Sequence, residues 1–422
     1  MNFNPSRDFP RQLDMQDELA SFRSLFVIPD PDLIYLDGNS LGRLPKAAAE
    51  QVSVAVSEWG SDLIRGWNKG WWDSPARLGE KIAQLLGAGP GQVIVSDSTS
   101  VNLFKLVMAA LALLPGRTHI VTDTLNFPSD LYILQGCANL LGGCHKIIRI
   151  GSQDDDITPD LAALEARIDE YTSLVTLSQV TFKSGYLYNM HDITELAHRK
   201  GALVLWDLCH SAGALPIELD ACNADFAIGC TYKYLNGGPG SPAFLYVRKE
   251  LQEKITSPIW GWWGQKSPFA FDLDYTPTLG VNRFLTGSQP ILSMLALDAA
   301  LDPLLKAGLE RIRRKSALLT DYLIYLADTF LTPHGFTLGS PRDPAQRGSH
   351  ISIRHPEGYR INRALIEEMN VIPDFREPDN IRLGLAPLYT TFGEVWEFVD
   401  RIRRVVEERQ FEKYPKERLT VT

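Results

Sequence analysis

From about residue 90 to residue 250 the chain alternates short, almost wholly apolar runs with amphipathic stretches of helical period, and that alternation permits few folds. A run that is apolar at every position buries both its faces, which here means a parallel sheet with helices on each side. The runs are VIVS (93–96), HIVT (119–122), KIIRI (146–150), LVTLSQV (174–180), ALVLWD (202–207) and FAIG (226–229), with helices expected from about Val101 and near Ser129. In MHDITELAHRKG, Asp192 can cap a helix, Glu195 completes a capping-box pattern and Gly201 ends it. From about Pro290 the pattern changes to long helices, then a strand pair around HISIRH (350–355) and NIRLGLAP (380–387), then a last helix opened by Thr391 with Glu394. The expected class is α/β: a large domain with a mostly parallel sheet covered by helices, plus a smaller α+β C-terminal domain.

At 422 residues the chain exceeds the size of a single core, which fits two closely packed domains. With 42 basic against 51 acidic residues the net charge is −9, so no nucleic-acid partner is expected. The opening MNFNPSRDFPRQLDMQDELA carries charges where a signal peptide needs apolar residues, and the longest apolar run, LVMAALALL, is far short of the ~20 residues that span a bilayer. A cytoplasmic protein without membrane contact is expected. Five cysteines without a C-x-x-C pair read as buried reduced thiols. His191 and His198 have no third ligand nearby, so they read as solvent-exposed and no metal site is expected.

In an open parallel sheet, ligands sit at the carboxyl ends of the strands. After VIVS comes SDSTS, whose hydroxyls and free helix N–H groups suit a phosphate, although simple capping would use the same residues. After HIVT comes TLNFPSD, with Phe127 and Asp130. After ALVLW comes DLCHSAG, with Asp207 at the strand end and His210 three residues on. A carboxylate there needs a partner, either a structural arginine or a cationic ligand. Lys233, in CTYKYLNGGPG, would by itself be an ordinary surface charge beside a turn, but one strand unit separates it from Asp207, so both reach the same rim. An acid for a protonated ring nitrogen, a lysine able to form a Schiff base and a phosphate cup together describe a pyridoxal 5'-phosphate site. GNSLG (38–42) matches the nucleophile-elbow pattern, but Leu44 precedes Pro45 and is biased to extended backbone, so the helix begins too late for an elbow serine.

YLDGNSLGRLPK, NFPSD, DLCHSAG, TYKYLNGGPG, GWWG, GSQPIL and IRLGLAPLY occur in the order of the kynureninase family, and over nearly its whole length the chain resembles that family of pyridoxal-phosphate enzymes with the aspartate-aminotransferase fold. The resemblance implies that Lys233 carries the cofactor, that Asp207 pairs with its ring nitrogen beside His210, and that Phe127 stacks on the ring. It places Thr99, Ser100, Ser129, Asp130 and Ser178 in the cofactor pocket. Tyr232, Trp262 and Ser288 would hold the phosphate, the last two from the other subunit of a homodimer with shared sites. Arg382 corresponds to the arginine that grips the substrate carboxylate, with Ser40 and Trp67 also at the substrate. Tryptophan at 67, where animal enzymes carry histidine, implies a preference for kynurenine over its 3-hydroxy form.

The domains expected from the resemblance are an N-terminal arm (1–45) contributing to the active site and small domain, a large cofactor domain (46–295) and a small C-terminal domain (296–422). The implied reaction is hydrolysis of the Cβ–Cγ bond of L-kynurenine to anthranilate and L-alanine, in tryptophan degradation. Lys233 would take the α-proton; Tyr232 would relay a proton or serve only as a phosphate ligand. Rival readings are a cysteine-desulfurase-like lyase, which needs a reactive cysteine in the C-terminal part whereas the last cysteine is Cys230, a serine hydrolase using GNSLG, and a non-catalytic protein that retains the fold.

Overall fold

A computed structural model describes residues 3–417. The arm holds α1 (Phe9–Met15) and the short strand β1 (Ile34–Tyr35). Two helices follow, α2 (Lys46–Asp62) and α3 (Ser74–Leu85), and then the strands and helices of the large sheet begin. These are β2 (Val93–Val95), α4 (Thr99–Leu113), β3 (His119–Asp123), α5 (Pro128–Leu140), β4 (Lys146–Ile150) and α6 (Leu161–Arg167). After them come β5 (Thr172–Ser178), α7 (Met190–Arg199), β6 (Leu203–Asp207), β7 (Phe226–Gly229) and β8 (Phe244–Val247). The spatial order is β2-β8-β7-β6-β5-β3-β4, and β8 runs antiparallel to both its neighbours while the other pairs are parallel.

Side-chain alternation along each strand divides this sheet's apolar residues between two cores. Val93, Val95, Val121, Val175, Leu177, Val204, Trp206, Ala227 and Tyr246 face one cluster, which α3, α7 and α8 (Ile291–Ala307) cover. Ile94, Ile120, Leu174, Leu205, Phe226, Ile228 and Leu245 face the other, covered by α4. That is why these strands read as unbroken apolar runs.

The chain then builds a separate core from α9 (Leu309–Phe330), β9 (Thr337–Leu338), β10 (His350–Arg354), α10 (Gly358–Met369), β11 (Val371–Ile372), β12 (Asp374–Arg376), β13 (Asn380–Gly384) and α11 (Phe392–Glu407). Strands β12-β13-β10-β9 form an antiparallel sheet whose Ile351, Ile353, Ile381 and Leu383 point into this core. The arm belongs with it: Leu13, Ile34 and Leu36 join the same cluster, β1 pairs with β11, and Asp14 accepts hydrogen bonds from Phe392 N and Gly393 N at the start of α11. Thr391 and Glu394 form the expected capping box on α11.

Four details differ from the sequence reading. Asn189, not Asp192, caps α7, its side chain accepting from Asp192 N; Asp192 sits one turn in, bonded to Asn189 Nδ2. His198 is half-buried and 2.8 Å from the fully buried Asp225, so burial of that acid rather than solvent sets its place; His191 is exposed. Cys144 is exposed and Cys222 partly so, because both lie in surface turns, while Cys137, Cys209 and Cys230 are buried and all five are free thiols. Strand β8 was not foreseen: its tyrosine and phenylalanine run straight on from the lysine turn without an intervening helix. Among the described residues no helix is long and apolar enough to cross a membrane, and no group of three or more His, Cys, Asp or Glu is gathered for a metal.

Close packing of α3 on β2 leaves no room at Gly79, where an added Cβ would lie 2.1 Å from the Val93 carbonyl oxygen. Gly79→Ala should therefore cost about 1–3 kcal/mol and lower the thermal unfolding midpoint. Gly60→Ala, in α2 with nothing within 4 Å, should leave the midpoint unchanged or raise it slightly; equal behaviour of the two variants would contradict this packing.

Candidate active site

The carboxyl ends of the parallel strands open onto a cavity of about 330 Å³ whose walls come from the large domain, the arm and the small domain. At one end two helices begin. Ser98 caps α4 by accepting from Val101 N, which leaves Thr99 and Ser100 on the first turn facing the cavity. The first turn of α5 brings Ser129, whose hydroxyl oxygen is 3.2 Å from that of Ser100. Unpaired N–H groups, positive helix ends and clustered hydroxyls make this an anion cup. Behind it the buried Lys105 ammonium is 2.5 Å from Asp97, and Thr286 donates to the same acid, which fixes the turn entering α4.

In the middle lie the acids. Asp207 ends β6, and its Oδ1 accepts from Cys209 N at 2.7 Å. Asp130 is buried beside it. Burial, then the charge of Asp207, holds the Asp130 carboxyl well above the usual range. Register places Ser178 on β5 directly across from Asp207. The Ser178 hydroxyl is 2.5 Å from Asn126 Oδ1 and 3.4 Å from Asp207 Oδ2. Asn126 in turn donates its backbone N–H to Asp123 and accepts from Phe127 N, fixing the turn that presents the Phe127 ring.

Lys233 follows β7 and faces the same cavity, its Nζ 3.1 Å from His210 Nε2 and 6.0 Å from the centres of the Phe127 and Tyr232 rings. Its side chain is not directed into bulk solvent. Burial, then the charges of Lys233 and the neighbouring His350, pull the His210 imidazole well below its ordinary range, so it is neutral. Cys230 beside it, together with burial, pushes the Tyr232 phenol above its ordinary value, which makes Tyr232 a proton donor rather than a base. The GNSLG stretch is no nucleophile elbow, since the next helix begins only at Lys46; instead Gly42 N donates to Tyr232 O at 2.8 Å, and a Cβ at Gly42 would lie 2.3 Å from Lys233 O. Its glycine permits the arm to lie flat on the lysine turn.

The other end of the cavity belongs to Arg382, buried and donating to Phe182 O at 2.7 Å and Ser40 Oγ at 2.8 Å, with an ion pair to Asp374. Burial, then Asp374, pushes the Asp37 carboxyl up to about 6, and Ser40 hydrogen-bonds it. Of the expected residues, the cavity thus gathers Ser40, Thr99, Ser100, Phe127, Ser129, Asp130, Asp207, His210, Tyr232, Lys233 and Arg382. Ser178 stands behind Asp207 rather than on the wall. Trp67, Trp262 and Ser288 are not brought to it within one chain. Trp67 packs edge-on against Trp71 and Trp263, at 5.8 and 5.4 Å between ring centres; Trp262 lies against Trp72 and Phe269 and is 41% exposed; Ser288 is exposed. Sequence reasoning missed Asp37, Asn126, His350, Asp374 and Arg376. The polar positions alternating with isoleucine and leucine in HISIR and NIRLG were a signal for the face on which His350 and Arg382 lie, whereas Asp37 and Asn126 carried none.

A family model described as the kynureninase C-terminal domain matches residues 312–402. The chain is 45% identical to a kynureninase of Pseudomonas fluorescens, covering 94% of each protein, and 43% identical to one of Burkholderia pseudomallei, covering 95% of this chain and 96% of the relative. Among solved structures, a cysteine desulfurase of Thermococcus onnurineus superposes with a TM-score of 0.75 at 20% identity over 89% of this chain and 95% of the other. A cysteine desulfurase of Escherichia coli does so with 0.76 at 19% identity over 97% and 100%. At that identity the structural likeness shows the fold, that of the pyridoxal-phosphate enzymes of fold type I. Sequence identity over nearly the whole length shows more: the chain belongs to the kynureninase family, pyridoxal-phosphate-dependent hydrolases of carbon–carbon bonds.

Proposed function

We propose that the chain hydrolyses the Cβ–Cγ bond of L-kynurenine to anthranilate and L-alanine, and 3-hydroxykynurenine more weakly, as a cytoplasmic enzyme of tryptophan degradation. One observation carries the reading: a single cavity holds Lys233, the Asp207–Asp130 pair, two hydroxyl-bearing helix starts and Arg382. That donor set fits pyridoxal 5'-phosphate. Thr99, Ser100 and Ser129, with Tyr232, would hold the phosphate; Phe127 would cover the ring; Asp207, backed by Ser178 and Asp130, would face its nitrogen beside His210; Lys233 would hold the aldehyde carbon. Bound there, the cofactor supplies an electron sink for the pair left when bonds at the substrate's α- and β-carbons break.

The chain's own groups do the rest. The Lys233 amine, next to a neutral imidazole, takes the α-proton. Asp207 presents a carboxylate that favours a protonated nitrogen opposite it. Arg382, oriented by Phe182 O, Ser40 and Asp374, draws the α-carboxylate by its charge, with its Nε–H left to donate. Tyr232 donates, which suits returning a proton to the alanine carbon as well as binding phosphate.

The remaining residues, Trp67, Trp262 and Ser288, act in this proposal across the interface of a homodimer with shared sites. Support comes from the exposed rings of Trp262, Phe269 and Phe271, which contact one another in sequence and form an apolar surface that calls for a partner. The division into arm (1–45), large domain (46–295) and small domain (296–422) is part of the proposal, although α8 packs wholly in the large sheet's core and the apolar clusters change over within α9. The Trp67-based preference for kynurenine belongs to the same proposal. A cysteine-desulfurase-like activity lacks its nucleophile, since no cysteine follows Cys230.

Purified enzyme should release a fluorescent aromatic amine and L-alanine from L-kynurenine, and Lys233→Ala should lower turnover roughly a thousandfold or more. No amine from the unmodified enzyme, or normal turnover by the variant, would contradict the assignment. Sedimentation at micromolar concentration should show a species of about twice the 47.2 kDa chain mass. A fully active monomer would remove the shared-site proposal.

A further inference from the structure

Strand geometry sets a second guanidinium beside the first. Strands β12 and β13 are antiparallel with Asp374 opposite Arg382 and Arg376 opposite Asn380. Alternation then puts Asp374, Arg376 and Arg382 on one face, while Ile381 and Leu383 turn to the core on the other. Arg376 and Arg382 both line the cavity, and Asp374 pairs with both, at 3.1 Å from Arg376 Nη2.

The two arginines are committed differently. Arg382 is 2% exposed and spends its terminal nitrogens on Phe182 O, Ser40 Oγ and Asp374. Arg376 is 36% exposed and pairs with Asp374. Each keeps a buried Nε–H with no acceptor among the described residues. A buried donor left unpaired costs about 1–3 kcal/mol, so each guanidinium has an N–H to give an entering acceptor, and Asp37 Oδ1 is likewise buried here without a partner among the described residues.

Charge counting points the same way. Asp37 and Asp374 lie at this end against two guanidiniums. Without Arg376, an entering carboxylate would meet two acids and one buried arginine.

We propose that Arg376 is a specificity-determining residue of this site, a second cation that with Arg382 restricts it to amino acids bearing a free α-carboxylate. The proposal rests on the reading of the cavity as an amino-acid site and names what that site selects. Arg382, buried and held by its neighbours, fixes the place of the anion; Arg376, at the more exposed wall, supplies the charge that offsets Asp37 and Asp374 when the anion arrives.

The test uses holoenzyme and two pairs of probes, each an acid and its amide: L-kynurenine and its α-carboxamide by steady-state turnover, and L-alanine and L-alaninamide by titration of the cofactor's absorbance. Arg376→Gln should raise the KM for L-kynurenine and the Kd for L-alanine roughly 10- to 100-fold, leave kcat within about threefold, and leave both amides nearly unchanged. Arg376→Lys, which keeps the charge, should recover most of the loss. Equal losses for acid and amide, a fall in kcat at constant KM, or no recovery in the lysine variant would overturn the proposal and leave Arg376 a support for Asp374. Failure of the unmodified enzyme to cleave kynurenine would instead strike the proposed function, and the alanine pair would still decide the role of Arg376.

Discussion

Two carboxyl groups buried side by side cannot both hold a charge, and the site is organised around that constraint. Asp207 receives the Cys209 N–H, whereas burial, then the charge of Asp207, raises the Asp130 carboxyl well above the usual range. The acid pair at the end of β6 suits a cation, and the cavity in front of it, with two hydroxyl-bearing helix starts at one end, can admit a flat, positively charged, phosphorylated ligand. The sheet makes the arrangement possible because parallel strands bring β5, β6 and β7 to the same rim, with Ser178, Asp207 and Lys233 following from adjacent strand ends.

The small domain contributes by a different device. Its antiparallel sheet is apolar on one face and polar on the other, so the strands that build a core also deliver Arg382, Asp374 and Arg376 to the cleft. The arm joins the two bodies. Gly384 N donates to Leu36 O while Gly42 N donates to Tyr232 O, so the segment carrying Asp37 and Ser40 touches β13 on one side and the lysine turn on the other. A carboxylate bound at Arg382 thus lies where the arm, large domain and small domain meet.

Much of this was legible in the sequence because period-2 burial and strand-end chemistry are local. The apolar runs and the Thr391–Glu394 cap follow from spacing, and the placing of Asp207 and Lys233 after neighbouring strands put both on one rim. Other features depend on contacts that spacing does not encode. Asn189 took the cap from Asp192 because two competent residues lie within one turn, and His198 turned inward because Asp225, 27 residues away, is fully buried. Strand β8 lacks the helix that announced the other strands. Trp67, Trp262 and Ser288 lie away from the cavity of the single chain, Trp67 and Trp262 among the packed aromatic rings around Trp263.

The central claim is that the Lys233 amine carries the cofactor opposite Asp207. Borohydride reduction of the yellow holoenzyme, followed by proteolysis and mass spectrometry, tests it most directly. The phosphopyridoxyl mass should be found on Lys233 and the protein should bleach; label on another lysine, or a chain that binds the cofactor without being labelled, would contradict the claim.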